Sequence, residues 1–99
     1  MALLYPEQNL NPCLIKLSVH QKNGDPASFA VVDVFQVNKF LWWEYDSWVT
    51  MRVTDYYGKV NLDLTKGRKY HLRIRWQGKE RNEKIKLTIC PWPMDVYMP

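Results

Sequence analysis

Histidine is scarce in this chain: His20 and His71 are its two imidazoles. A metal site or proton relay built on imidazole needs both of them, or one beside a carboxylate or thiol. Each lies in an alternating apolar and polar run, and the alternation sends both to the outward faces of different strands. Tyr70 adjoins His71, but neighbours on a strand leave opposite faces. The expectation is two exposed histidines and no bound metal. Cys13 and Cys90 are the two thiols. Neither has, nearby in sequence, the histidine and acid that activate a nucleophile. Cys13 precedes the first alternating run and Cys90 ends the last. If those strands run parallel, the sulfurs lie at opposite ends, beyond the ~7 Å Cα separation that a disulfide spans. Two reduced cysteines are therefore expected. No phosphate loop, paired-carboxylate signature or Cys-x-x-Cys is present. These residues predict a protein that is not an enzyme and holds no cofactor.

The residues suited to binding are more distinctive. Phe40 to Trp48 is the densest aromatic stretch, and Trp42, Trp43, Tyr45 and Trp48 could stack on sugar rings. Alternation sends Trp42 and Trp48 to a different face from Trp43, so a flat platform is not assured. Arg73, Arg75, Lys84 and Lys86 could track a nucleic-acid backbone. The arginines and lysines are expected on opposite sheets, which weakens that reading. The net charge of +4 suits an anionic partner or a merely solvated basic surface. The chain has five Trp among 99 residues, too many for so small a core to hide. No run of five like charges forms a basic tail. Nothing approaches the ~20 apolar residues of a membrane span. The N-terminus lacks the basic-then-apolar pattern of a signal peptide, so either the chain stays in the cytoplasm or its start has been trimmed. The compartment stays open.

The elements that must position these groups are strands. Ile15, Leu17 and Val19 alternate with Lys16, Ser18 and His20, and Asn23-Gly24-Asp25 then marks a turn. From Ser28 to Val37, Ala30, Val32 and Val34 line one face, while Phe29, Val31, Asp33 and Phe35 line the other. A strand apolar on both sides is central and has a covered outer face. Asn38-Lys39 reads as a turn. Trp48 to Val53 reads as a strand with Val49, Met51 and Val53 inward. Val60, Leu62 and Leu64, then Tyr70, Leu72, Ile74 and Trp76, form two alternating runs about Gly67, expected to be a β-hairpin. Gln77 to Asn82 reads as a polar turn. Glu83 to Cys90 is the last expected strand, with Ile85, Leu87 and Ile89 inward. The prolines at 91, 93 and 99 forbid a helix or a central strand in the tail. The organisation is an N-terminal arm over 1–12, a sandwich over 13–90 and an apolar tail over 91–99.

Short strands with turns every eight to twelve residues predict an all-β, seven-stranded Greek-key sandwich. Three segments carry a more specific resemblance: Ile15-Lys16-Leu17-Ser18-Val19 with Asn23-Gly24-Asp25-Pro26 and Ala30 to Val34; Thr54-Asp55-Tyr56-Tyr57-Gly58-Lys59-Val60-Asn61-Leu62; and Lys66-Gly67 with Tyr70-His71-Leu72-Arg73-Ile74. Over about residues 14 to 89 these resemble the carboxypeptidase-regulatory-like domains, with their transthyretin-like, immunoglobulin-like sandwich. Two residues, Arg68 and Lys69, separate Gly67 from Tyr70 where that family usually has one. The resemblance implies an accessory module that stabilises, adheres or assembles. Relatives with chemistry do not fit. Hydroxyisourate hydrolases of this fold end in Tyr-Arg-Gly-Ser, whereas this chain ends Val-Tyr-Met-Pro. The intradiol dioxygenases need two Tyr and two His around iron. The isopeptide-forming adhesins need an Asn or Asp on the last strand opposite Lys16, and Asn82 only precedes that strand.

The expected function is therefore a non-catalytic structural or assembly subunit, with carbohydrate or other ligand binding by residues 40–48 as the alternative. The expected interface is Phe29, Val31, Phe35, Trp42, Trp43, Tyr45, Trp92, Met94 and Tyr97. The partner is another protein or a second copy, with a glycan as the alternative and nucleic acid disfavoured. Either the arms pack on their own domain or they pack on a neighbour.

Overall fold

The computed structural model describes residues 11–99; the arm over 1–12 lies outside them except for its last two residues. The chain forms seven strands in order: β1 (Pro12–His20), β2 (Val31–Phe40), β3 (Trp43–Val53), β4 (Lys59–Thr65), β5 (Lys69–Trp76), β6 (Lys79–Lys86) and β7 (Trp92–Tyr97). No helix occurs among the described residues. Two sheets pack face to face, one in the order β4-β1-β7 and the other β3-β2-β5-β6.

The core follows from period-two patterning. Ile15, Leu17 and Val19 of β1 and Leu62 and Leu64 of β4 meet Val32 and Val34 of β2 and Tyr70, Leu72 and Ile74 of β5, all buried. Each of these four strands turns one apolar face inward, so packing the two sheets removes all of these side chains from water at once.

Five expectations need correction. Arg73 and Arg75 are not on the opposite sheet from Lys84 and Lys86: they lie on β5 and β6 respectively, adjacent strands of one sheet. Residues 60–76 are not a hairpin: β4 pairs antiparallel with β1, and β5 with β2 and β6. The link through Gly67 (φ +87°) carries the chain from one sheet to the other. Facing each other across the core buries the same alternating side chains that a hairpin would bury, so periodicity alone does not separate the two arrangements. The turn at Asn38-Lys39 is instead strand, and β2 returns as β3 through Leu41-Trp42. Val49, Met51 and Val53 are exposed, not inward. β3 is an edge strand, and a bulge opposite Val34/Phe35 shifts its register. Such a bulge moves the facing of every residue beyond it. Finally, Lys79 to Asn82 belong to β6, because an edge strand tolerates polar residues on both faces, and Ile89 lies past its end, exposed.

The tail supplies the seventh strand. β7 runs parallel to β1, with Ile15 opposite Trp92 and His20 opposite Tyr97. It sits at the sheet edge, where proline is admissible. Val96 and Met98 are buried, and Trp92 and Met94 pack against the core. This strand also corrects the cysteines, which form a disulfide with Cα atoms 5.2 Å apart. Cys90 precedes β7 by two residues, just as Cys13 precedes Ile15, so the parallel register places both at the same end.

The Thr54-Asp55-x-x-Gly58 segment locks the other end. Thr54 Oγ1 donates to the Ala27 carbonyl at 3.0 Å and accepts the Ala30 N–H at 2.8 Å. Asp55 Oδ1 accepts the Tyr57 and Lys59 N–H groups.

Candidate interaction surfaces

The nine residues expected to form one interface fall in three places. The first is the outer face of the larger sheet. Its middle is polar: Asp33, only 5% exposed, accepts from Arg73 at 3.1 Å and Arg75 at 2.9 Å. Phe35 is half-buried, with the Arg73 guanidinium 5.3 Å from its ring centroid. Next to it His71 lies between Asp46 (2.7 Å from Nδ1) and Asn82 (2.8 Å from Nε2). An Asp–His pair resembles part of a catalytic relay, but the Nε2 atom that would activate a nucleophile faces Asn82. The pair therefore ties β3 to β5 and β6. Sequence reasoning overlooked this network; inward-facing periodicity gives no sign of it, although an acid opposite two arginines on adjacent strands does.

Beside this polar centre runs an apolar strip. Trp48, Met51 and Val53 are exposed along β3, opposite Phe35, Asp33 and Val31 of β2. Beyond Val31, Phe29 is exposed and meets Tyr56 edge-on at 6.5 Å. Phe29 and Val31 also line an open cleft of about 530 Å³, shared with Arg75, Trp76, Lys79 and Glu80.

The second place is a projecting ribbon. β2 stays beside β5 only as far as Gln36↔Tyr70, while its pairing with β3 continues to Phe40↔Trp43. Residues beyond Gln36 thus form a two-stranded extension about 16 Å long at ~3.3 Å per residue. At its tip Leu41, Trp42, Trp43, Phe40 and Tyr45 are all exposed, Trp42 by 81%. Trp42 and Trp43 meet at 81° and Phe40 and Trp43 at 66°, so the rings form a wedge with no coplanar platform for a sugar.

The third place is the tail. Trp92 and Met94 are turned to their own core, whereas Tyr97 is exposed and stacks on His20 at 4.6 Å. His20 also contacts Asp95 at 2.9 Å. Both histidines therefore have carboxylate partners, but among the described residues no group of three or more His, Cys, Asp or Glu is placed to hold a metal ion. Also among these residues, no helix is long and apolar enough to cross a membrane. No protein-family model and no curated protein matches the chain.

Proposed function

We propose that this chain is a non-catalytic β-sandwich interaction module, a structural or assembly subunit that associates with a second copy of itself along β3. The observation that carries the reading is the exposure of this eleven-residue edge strand over almost its whole length. An open edge offers unpaired N–H and C=O groups to another strand. Here it lies beside Trp48, Met51 and Val53, apolar side chains that stay exposed among the described residues. The bulge confines the pairing to the segments on either side of it.

The Greek-key, transthyretin-like and carboxypeptidase-regulatory-like assignment belongs to the same proposal. It is supported by the Thr54 and Asp55 hydrogen bonds, which give the quoted motif a structural role. A motif of that kind specifies fold rather than chemistry.

Sedimentation velocity across a concentration series tests the proposal. Dimers that become monomers in Trp48→Lys/Met51→Lys, with the β-sheet circular-dichroism spectrum retained, are expected. A wild-type chain that stays monomeric at every concentration reached refutes the reading.

A further inference from the structure

The ribbon and its base each break a local rule of stability. Leu41 has φ +57°, while Trp42 does not have a positive φ. A two-residue hairpin loop with a positive φ at its first central position alone matches a type II′ turn, and glycine is the residue suited there. A leucine at this position is strained, and it is also 63% exposed and takes no part in the core. Local strain accepted without a folding reason marks functional positions.

The second breach lies at the ribbon's base. Lys69 and Lys86 are cross-strand partners. Like charges directly opposite destabilise a sheet. Lys66 and Arg68 occupy the adjoining loop, where Gly67 N–H donates to the Leu87 carbonyl, and Lys39 stands on the ribbon itself. Six cations (Lys39, Lys66, Arg68, Lys69, Lys84 and Lys86) thus share one end of the molecule. The carboxylates near them are Glu44, Asp46, Asp63 and Glu83, the last held by Arg81 at 2.7 Å. Glu44 is held by Lys69 at 3.1 Å and Asp46 by His71 at 2.7 Å.

We infer that this end docks on the surface of an anionic lipid bilayer, with the ribbon tip wedged among the headgroups and the cations facing them. The chemistry of each part fits. Trp, Tyr and Phe settle at the boundary of water and hydrocarbon, where an amphipathic ring is solvated on both sides. Anionic headgroups attract basic residues lying within about a Debye length, roughly 8–10 Å. A tip sunk about 5–10 Å into the interface leaves a ~16 Å ribbon with its base that close to the headgroup plane. An apolar pocket on a protein would accept the wedge equally well, but it gives no reason for a basic collar. The inference is independent of self-association through β3.

The test uses the full chain with vesicles of phosphatidylcholine alone or mixed with phosphatidylglycerol. Co-sedimentation and the shift of tryptophan emission are the readouts. The inference expects binding and a blue shift on mixed vesicles, little of either on phosphatidylcholine, and loss of binding as salt is raised. The variant Leu41→Gly/Trp42→Asn suits the turn, so it should unfold at a higher denaturant concentration yet partition at least tenfold more weakly. Lys66→Glu/Lys86→Glu should weaken partitioning by a similar factor without altering the tip. Failure of the wild-type chain to bind mixed vesicles overturns the inference. So does equal binding to both lipids, or unchanged binding by the tip variant. Tip-dependent self-association in the absence of lipid would also overturn it, in favour of a protein pocket.

Discussion

Replacing Gly58 with alanine should cost far more than the same change at Gly24. Both glycines have positive φ, +76° and +95°, so both substitutions incur left-handed strain of about 1 kcal/mol. Their surroundings differ. A Cβ at Gly24 meets nothing within 4 Å, whereas at Gly58 it would lie 2.4 Å from the Val19 carbonyl oxygen and 3.2 Å from the Ala27 nitrogen. These are backbone atoms and cannot rotate aside. The Val19 N–H donates to the Gly58 carbonyl at 2.7 Å, and the Ala27 N–H donates to the Val19 carbonyl at 2.9 Å. Opening enough space disturbs both bonds, each worth about 1 kcal/mol net. Gly58→Ala should therefore lose about 3–4 kcal/mol and Gly24→Ala about 1. Urea denaturation measures this directly. With a slope of about 1–1.5 kcal/mol per molar, the Gly58 variant should unfold about 2–4 M earlier. Equal midpoints for the two variants would refute the close approach of the Asp55–Gly58 turn to β1.

Other expectations follow from the same contacts. Thr54→Val preserves shape but leaves a buried carbonyl and N–H unpaired, and should lower stability by about 2–3 kcal/mol in the same assay. The disulfide joins residues 77 apart, a loop whose closure is worth about 4 kcal/mol in the chain-entropy account. Cys13→Ala/Cys90→Ala should therefore lower the midpoint strongly, with the amides of β7 gaining exchange first; an unchanged midpoint contradicts the pairing. Arg73→Ala should cost under about 1 kcal/mol because Arg75 still neutralises Asp33, whereas removing both arginines should cost about 3. Additive losses in that double-mutant comparison would show that the two arginines do not share one carboxylate.

The strands that build the core are legible in the sequence because their alternation has one reading: Ile15, Leu17 and Val19, or Ala30, Val32 and Val34, can be buried only together. The partner of each strand is less legible. A hairpin and a cross-sheet link bury Leu62, Leu64, Tyr70 and Leu72 equally well, so composition gives no preference. Met51 and Val53 misled because one bulge residue inverts the facing that period two implies. The tail did carry a signal, since Trp92, Met94, Val96 and Met98 alternate; the prolines exclude a central strand but not an edge one. Placing Cys90 at the end of a strand, rather than just before one, hid the disulfide. The aromatic richness of residues 40–48 is plain in the sequence. Its projection on a ribbon is not, because that depends on β5 ending its pairing at Gln36.

Amide hydrogen exchange along β3, followed as protein concentration rises, tests the central claim most directly. Association through this edge predicts that amides of residues 43–53 that point away from β2 become protected with increasing concentration, while those on the open edges of β4 and β6 do not. Exchange along β3 that is independent of concentration, in a chain that nevertheless associates, would place the contact elsewhere and contradict the account.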